Sequence, residues 1–237
     1  MKKPLLYKRI LIKLSGEAFG RVGEGIDVKV LAATAREIAS IQKLDVEVAI
    51  TVGGGNLWRK RDKSNEIETR TSDYLGLLAT VMNGLVLRQA FQKLRVPCML
   101  FSAVAYDIPL AHKFDGVLAR GALRRGEIVI FSGGTGSPGF TTDTGAALRA
   151  RDIHADVVIK VGVVDGVYTA NPRKVRSAKK YATVTMAEAL KKKLGIMDKE
   201  AFEICQQRKI PIVVCKWGKG VVQRVVAGER VGTLVTP

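Results

Sequence analysis

Cysteine and histidine are scarce in this sequence: three cysteines, Cys98, Cys205 and Cys215, and two histidines, His112 and His154, in 237 residues. An odd cysteine count, no CxxC pair and histidines far from the cysteines argue against a disulfide framework and a zinc site. The expectation is small core hydrophobes in a reducing cytoplasm, with no metal held by protein ligands. Long apolar runs are also missing. The opening MKKPLLYKRILIKL is broken by Lys8, Arg9 and Lys13, so neither a signal peptide nor a membrane span is expected. No Pro/Ser-rich linker, repeat or low-complexity stretch divides the chain, and its 47% apolar content reads as a single domain over 1–237 with two lobes.

Acidic residues are few as well, 22 against 39 basic ones, and the resulting charge of +17 points to anionic partners. The basic residues gather in Arg59 to Arg61, Arg124–Arg125, Arg173 to Lys180 and Lys191 to Lys193. Without interleaved aromatics or a helix-turn-helix pattern these read as solvated surface rather than a nucleic-acid groove.

What is present centres on Glu127 to Ala150. Ile128 to Phe131 is a short apolar run that predicts a strand buried on both faces of a parallel sheet. Four glycines (Gly133, Gly134, Gly136, Gly139), four hydroxyl residues (Thr135, Ser137, Thr141, Thr142) and Asp143 follow within eleven residues. A helix follows, capped by Thr142 or Asp143. The loop is either a tight connection or an anion cradle at a helix N-terminus. It is not a P-loop, since no Gly-Lys-Ser/Thr follows, and it holds no GxGxxG.

Lys8 to Leu14 predicts the first strand. Lys13 at its carboxyl end is either an edge lysine reaching solvent or an ammonium delivered to a phosphate. Val46 to Val52 is a second strand running into Gly53-Gly54-Gly55-Asn56, with Arg59 about one turn beyond. Helices are expected from Asp27 to Leu44, from Thr71 to Leu94 with Ser72 as cap, over Thr185 to Leu194, over Met197 to Lys209 and over Gly220 to Ala227. Further strands are expected at Val96 to Ser102, Asp156 to Val161, Pro211 to Cys215 and Thr233 to Thr236, with Gly116 to Gly126 as a connection. Asp73 either complements a helix dipole or accepts from a ribose. Alternating strands and helices imply an α/β fold with a mainly parallel sheet covered on both faces. Two glycine cradles and a strand-end lysine suggest two phosphorylated ligands facing each other.

With these segments assembled, the chain resembles the amino acid kinase fold family, a three-layer sandwich around a mainly parallel sheet, and within it the bacterial uridylate kinases. The carriers are KLSGEA at Lys13 to Ala18, GGGNLWR at Gly53 to Arg59, SDYLGLLATVMNGL at Ser72 to Leu85, GTGSPGFTTD at Gly134 to Asp143, VDGVYTANP at Val164 to Pro172, and Met197-Asp198. The resemblance implies transfer of the ATP γ-phosphoryl group to UMP with magnesium, in a cytoplasmic homohexamer serving pyrimidine biosynthesis.

The same resemblance implies that Lys13, Leu14, Ser15, Gly16, Gly55 and Arg59 face the ATP phosphates, and that Gly162, Tyr168 and Asn171 meet its nucleoside. Gly54, Asp73 and the loop Thr135, Gly136, Ser137, Pro138, Gly139, Phe140, Thr141 and Thr142 would bind UMP. Asp143 and Asp198 match acidic positions near the phosphates, and Lys160 is a further candidate for the transferred group. Three positions depart from the commoner pattern: Asn171 replaces an aspartate, Gly162 a hydroxyl residue and Gly139 an aromatic one. The Gly20 to Ile26 loop is also short against relatives that respond to GTP. A kinase for a carboxylate acceptor is the rival within the fold, and Asp73 would repel such an acceptor. A basic nucleic-acid-binding protein without catalysis is the rival outside it.

Overall fold

Apolar runs without polar alternation become strands buried on both faces. The computed structural model describes residues 4–21, 24–59, 67–104, 109–172 and 174–237. Its strands are β1 (Arg9–Leu14), β2 (Glu47–Val52), β3 (Cys98–Ser102), β4 (His112–Lys113), β5 (Ile128–Ser132), β6 (Val157–Gly162), β7 (Thr183–Thr185), β8 (Ile212–Lys216) and β9 (Thr233–Thr236). They form one sheet in the order β4-β3-β5-β2-β1-β6-β8-β9-β7, parallel except between β8 and β9.

Alternate residues of each strand feed opposite layers. Ile10, Ile12, Leu14, Ile50 and Ile159 pack with α1 (Val28–Gln42), α2 (Thr69–Lys93) and α7 (Val221–Val226), through Ile38, Leu87, Phe91 and Val225. Leu11, Ala49, Val129, Val158 and Val214 pack on the other side with α3 (Gly116–Arg124), α4 (Thr142–Ile153), α5 (Met186–Lys191) and α6 (Lys199–Gln207). The result is the expected three-layer sandwich. Each fully buried Leu, Ile or Phe contributes roughly 1.5–3 kcal/mol by leaving water.

Several expectations need correction. Gly116 to Gly126 is not a simple connection but carries α3, whose N-cap Asp115 accepts from Val117 N at 2.7 Å and Leu118 N at 2.9 Å. That cap and the buried Ala119, Ala122 and Leu123 outweigh the helix weakness of its glycines. The N-cap of α4 is Thr141, one residue before the expected pair, because its hydroxyl accepts from Asp143 N and Thr144 N. Ser72 does not cap α2, which begins at Thr69; it is buried, and accepts from Trp58 Nε1 at 3.0 Å. Thr185 caps α5 rather than joining it, and Asp198 caps α6. β4 and β7 were not expected.

Candidate active site

Strands β5, β2, β1 and β6 are neighbours and run in the same direction, so the loops after them open along one edge. At such an edge loop backbone is free to meet a ligand. Lys13 and Lys160 pair in register on β1 and β6 and lie on the face that carries α4. Two ammonium groups thus stand side by side beneath the N-terminus of α4.

Asp143 in the first turn of α4 joins them. Lys160 Nζ donates to Asp143 Oδ2 at 2.6 Å and also to the Ile196 carbonyl. Lys13 Nζ lies 3.1 Å from Asp143 Oδ1, an ion pair rather than a directed hydrogen bond. Burial pushes the Asp143 carboxyl up, but the two ammonium groups outweigh it and hold it below the usual carboxylate range. Burial pushes the Lys160 ammonium down, Asp143 pulls it back and Lys13 pushes it down again, leaving it below the ordinary lysine value. One carboxylate cannot neutralise two cations. The excess positive charge attracts an anion, which would raise the Lys160 value back toward its ordinary one.

On one side of this group lies the glycine cradle after β2. A Cβ on Gly16 would stand 2.4 Å from Asn56 N and 2.6 Å from Gly55 N, so the loop after β1 and the cradle meet backbone to backbone. Arg59 lies over Gly55, donating Nε to its carbonyl at 2.9 Å and Nη2 to Glu17 Oε1 at 3.0 Å. The other oxygen of Glu17 accepts from Ser15 Oγ at 2.9 Å. A cleft of about 370 Å³ continues past Ser15, Glu17, Gly162 and Trp217, whose backbone N–H donates to the Gly162 carbonyl at 3.0 Å. Beyond Val163 a second cleft, about 490 Å³, holds Lys160, Tyr168 and Asn171. Tyr168 donates to Asp165 at 2.8 Å, and Lys180 pairs with the same carboxylate at 2.9 Å. These hydrogen bonds, Lys180's first, hold the Asp165 carboxyl below its ordinary value.

On the other side lies a cleft of about 360 Å³ between α2 and the loop after β5, lined by Gly54, Trp58, Asp73, Thr80, Gly134, Gly139, Phe140, Thr141 and Thr142. Gly133, Gly134, Gly136 and Gly139 all have positive φ, which only glycine adopts without strain. Asp73 accepts from Gly139 N at 2.9 Å, holding the loop tip to the helix. Asp198 ties the loop to α6: it receives hydrogen bonds from Thr141 Oγ1 and, at 2.8 Å, from Thr144 Oγ1, while its other oxygen caps α6. Asp198 is thus a brace for the loop, whereas Asp143 sits among the lysines.

The structure therefore brings Lys13, Lys160, Asp143 and Arg59 to the sheet edge between two clefts. The predicted nucleoside residues Gly162, Tyr168 and Asn171 lie on the first side, and Gly54, Asp73 and Gly139 to Thr142 line the second, whereas Thr135 to Pro138 do not line it and Gly55, expected to face ATP, does. Reading the sequence missed Trp58, Thr80 and Trp217. Trp58 and Trp217 are the only tryptophans in the chain, and that rarity was the available signal. Part of the Gly20 to Ile26 loop, Lys60 and Arg61, and Arg173 lie outside the described residues.

Comparisons with known proteins identify the family. Residues 8–216 match the family model described as "Amino acid kinase family". A protein named uridylate kinase from Legionella pneumophila (strain Corby) is 46% identical over 237 residues, covering 98% of this chain and 95% of that protein. Another of the same name from Stutzerimonas stutzeri (strain A1501) is 44% identical over 232 residues, covering 97% and 94%. Among solved structures, a UMP kinase from Bacillus anthracis superposes with a TM-score of 0.92 at 33% identity, covering 97% of this chain and 96% of that one.

Proposed function

The chain belongs to the amino acid kinase family, and from that premise we propose that it is a nucleoside monophosphate kinase that moves the γ-phosphoryl group of ATP to UMP, giving UDP and ADP. The observation that carries this reading is the Lys13–Asp143–Lys160 group at the sheet edge, with Gly162's cleft next to it along the chain from Lys160 and the glycine-rich cleft next to it along the chain from Asp143. ATP is assigned to the side of Ser15, Gly16, Gly55, Arg59, Gly162, Tyr168 and Asn171, and UMP to the side of Gly54, Asp73 and the Thr135 to Thr142 loop.

An oxygen of the UMP phosphate attacks the γ-phosphorus in line, the bond to the β–γ bridging oxygen breaks, and ADP leaves with that electron pair. A phosphate anion is already nucleophilic, so no strong general base is required. The chain's own work is positioning and neutralisation. Lys13 and Lys160 face the charge on the transferred group, Arg59 the triphosphate, and Asp143 holds both lysines aimed at one point. Magnesium, when bound with ATP, supplies further neutralisation of the phosphates.

Asp73 beside the acceptor cleft supports a neutral ribose there over the carboxylate of an acidic amino acid. From the family resemblance we assign the chain to a homohexamer working in the cytoplasm in pyrimidine nucleotide synthesis. Among the described residues no helix is long and apolar enough to cross a membrane. A coupled ADP-release assay offering UMP, CMP, N-acetylglutamate and aspartate in parallel tests the reading. Turnover with UMP is expected, and turnover with an acidic amino acid instead would overturn the acceptor assignment.

A further inference from the structure

The middle of α2 backs the acceptor cleft, which Leu77 and Thr80 line, and Thr80 and Asn83 there are buried rather than solvated. Asn83 is 0% and Thr80 4% exposed. Asn83 Nδ2 donates to the Gly53 carbonyl at 2.7 Å, at the root of the Gly53 to Asn56 cradle, whose Gly54 is assigned to UMP and Gly55 to ATP. It also donates to Asn56 Oδ1 at 2.7 Å, and Asn56 returns a hydrogen bond to Asn83 Oδ1 at 3.2 Å, a reciprocal amide pair closed off from water. One turn earlier on the same helix, Thr80 Oγ1 accepts from Gly133 N at 2.7 Å, at the root of the loop assigned to UMP, and donates to Leu77 O at 2.7 Å. Residues three apart on a helix share a face, so one rigid surface grips both loops.

The backbone packing allows no slack. A Cβ on Gly54 would lie 2.8 Å from Ala79 Cβ and 3.2 Å from Thr80 N, and one on Gly134 would lie 3.0 Å from Leu77 Cδ2. Both cradles therefore rest directly on α2, within less than one methyl group of clash. A helix interior ordinarily offers apolar side chains to its core. Here it offers a threonine and an asparagine whose polar atoms bond to the two glycine loops, apart from the Thr80 hydroxyl proton, which goes to the Leu77 carbonyl of the same helix. Burying such groups costs free energy unless they are bonded, and an apolar pair of the same shape would fill the space equally well.

We propose that Thr80 and Asn83 are positioning residues that set the separation of the two glycine loops, and with it the approach of the acceptor phosphate oxygen to the γ-phosphorus. The proposal rests on the functional reading above. Neither residue contacts the reacting atoms; each acts through a loop it holds. Phosphoryl transfer depends on near-attack geometry, and a displacement of about 1 Å can cost on the order of 10²-fold in rate without loss of affinity. The expected signature is consequently a loss in kcat with KM largely kept.

The test is steady-state kinetics with ATP, magnesium and UMP on the full chain and its Thr80→Val and Thr80→Ser variants, each with its melting temperature recorded. Wild-type turnover with UMP comes first, and its absence would sink the functional reading rather than this inference. Given that turnover, Thr80→Val keeps the shape but removes the acceptor for Gly133 N. It is expected to lower kcat at least about tenfold while both KM values stay within about threefold, and Thr80→Ser, which keeps the hydroxyl, to recover most of the loss. If Thr80→Val does not fold, Asn83→Ser carries the same expectation. Unchanged kcat in a folded variant with a lowered melting temperature would show a purely structural role and overturn the proposal. A raised KM for UMP at unchanged kcat would overturn it too, marking a binding contact instead.

Discussion

Replacing Asp143 by asparagine keeps its shape and removes the single charge between Lys13 and Lys160. Each ammonium lies close to that carboxylate, at 3.1 and 2.6 Å. With an effective dielectric of about 20, each pair at such a separation is worth roughly 5 kcal/mol before desolvation is counted. Breaking a buried ion pair by removing one partner costs about 3–5 kcal/mol net. The side chains of Lys13, Lys160 and Asp143 are 13%, 22% and 16% exposed, so solvent screens these pairs little. In Asp143→Asn the lysines repel each other without compensation, and Lys160, already below its ordinary value, loses its proton more readily. If that cost falls on the transition state, kcat drops by between about 10² and 10⁴-fold, at 1.36 kcal/mol per tenfold. The assay is ADP release with saturating ATP and UMP, with circular dichroism confirming the fold. A folded Asp143→Asn protein within about fivefold of wild type would refute the idea that this carboxylate aims the two lysines at the phosphoryl group.

Lys160 supplies a pH prediction. Its folded-state value is lowered, so its phosphate-binding charged form disappears at lower pH than that of a free lysine. The alkaline fall of kcat/KM for ATP should begin below the ordinary 10.5, and Lys160→Arg, which keeps its proton, should lose that limb; an unchanged pH profile in the variant would contradict the assignment. Asp73→Ala should raise KM for UMP about tenfold or more with KM for ATP nearly constant, because it removes both a cleft carboxylate and the acceptor of Gly139 N; equal shifts for both substrates would refute its place on the UMP side. Gly16→Ala would drive a methyl carbon to 2.4 Å from Asn56 N, so ATP use should collapse by about 10²-fold, while Gly121→Ala, in α3 and meeting only the Arg125 guanidinium at 3.4 Å, should stay within about twofold. Comparable losses in the two alanine variants would argue against the close loop contact.

Much of the sheet was legible because buried parallel strands leave a continuous apolar signature, as at Ile128 to Phe131 and Val157 to Ile159. Lys13 and Lys160 stood out as charges interrupting such runs. Their side-by-side placement was not legible, since it depends on the register of β1 against β6, residues far apart in sequence. Asp143 was recognised as acidic and near phosphates, but its position between two ammonium groups required α4 to be docked over the sheet. β4 and β7, of two and three residues, are too short to carry a period. α3 was hidden by Gly116 and Gly121, and its start is marked by the Asp115 cap. Asn83 and Thr80 were hidden for the opposite reason: a polar residue inside a helical pattern reads as solvent-facing, and only the structure reveals both as buried.

The central claim is transfer of one phosphoryl group between two nucleotides across the Lys13–Asp143–Lys160 group. The direct measurement incubates the full chain with ATP labelled in its γ-phosphate, magnesium and UMP, and separates the nucleotides. The account predicts label appearing in UDP in step with ADP, dependent on UMP and lost in Asp143→Asn. Label released as inorganic phosphate regardless of UMP, or none transferred by the folded wild-type chain, would contradict it.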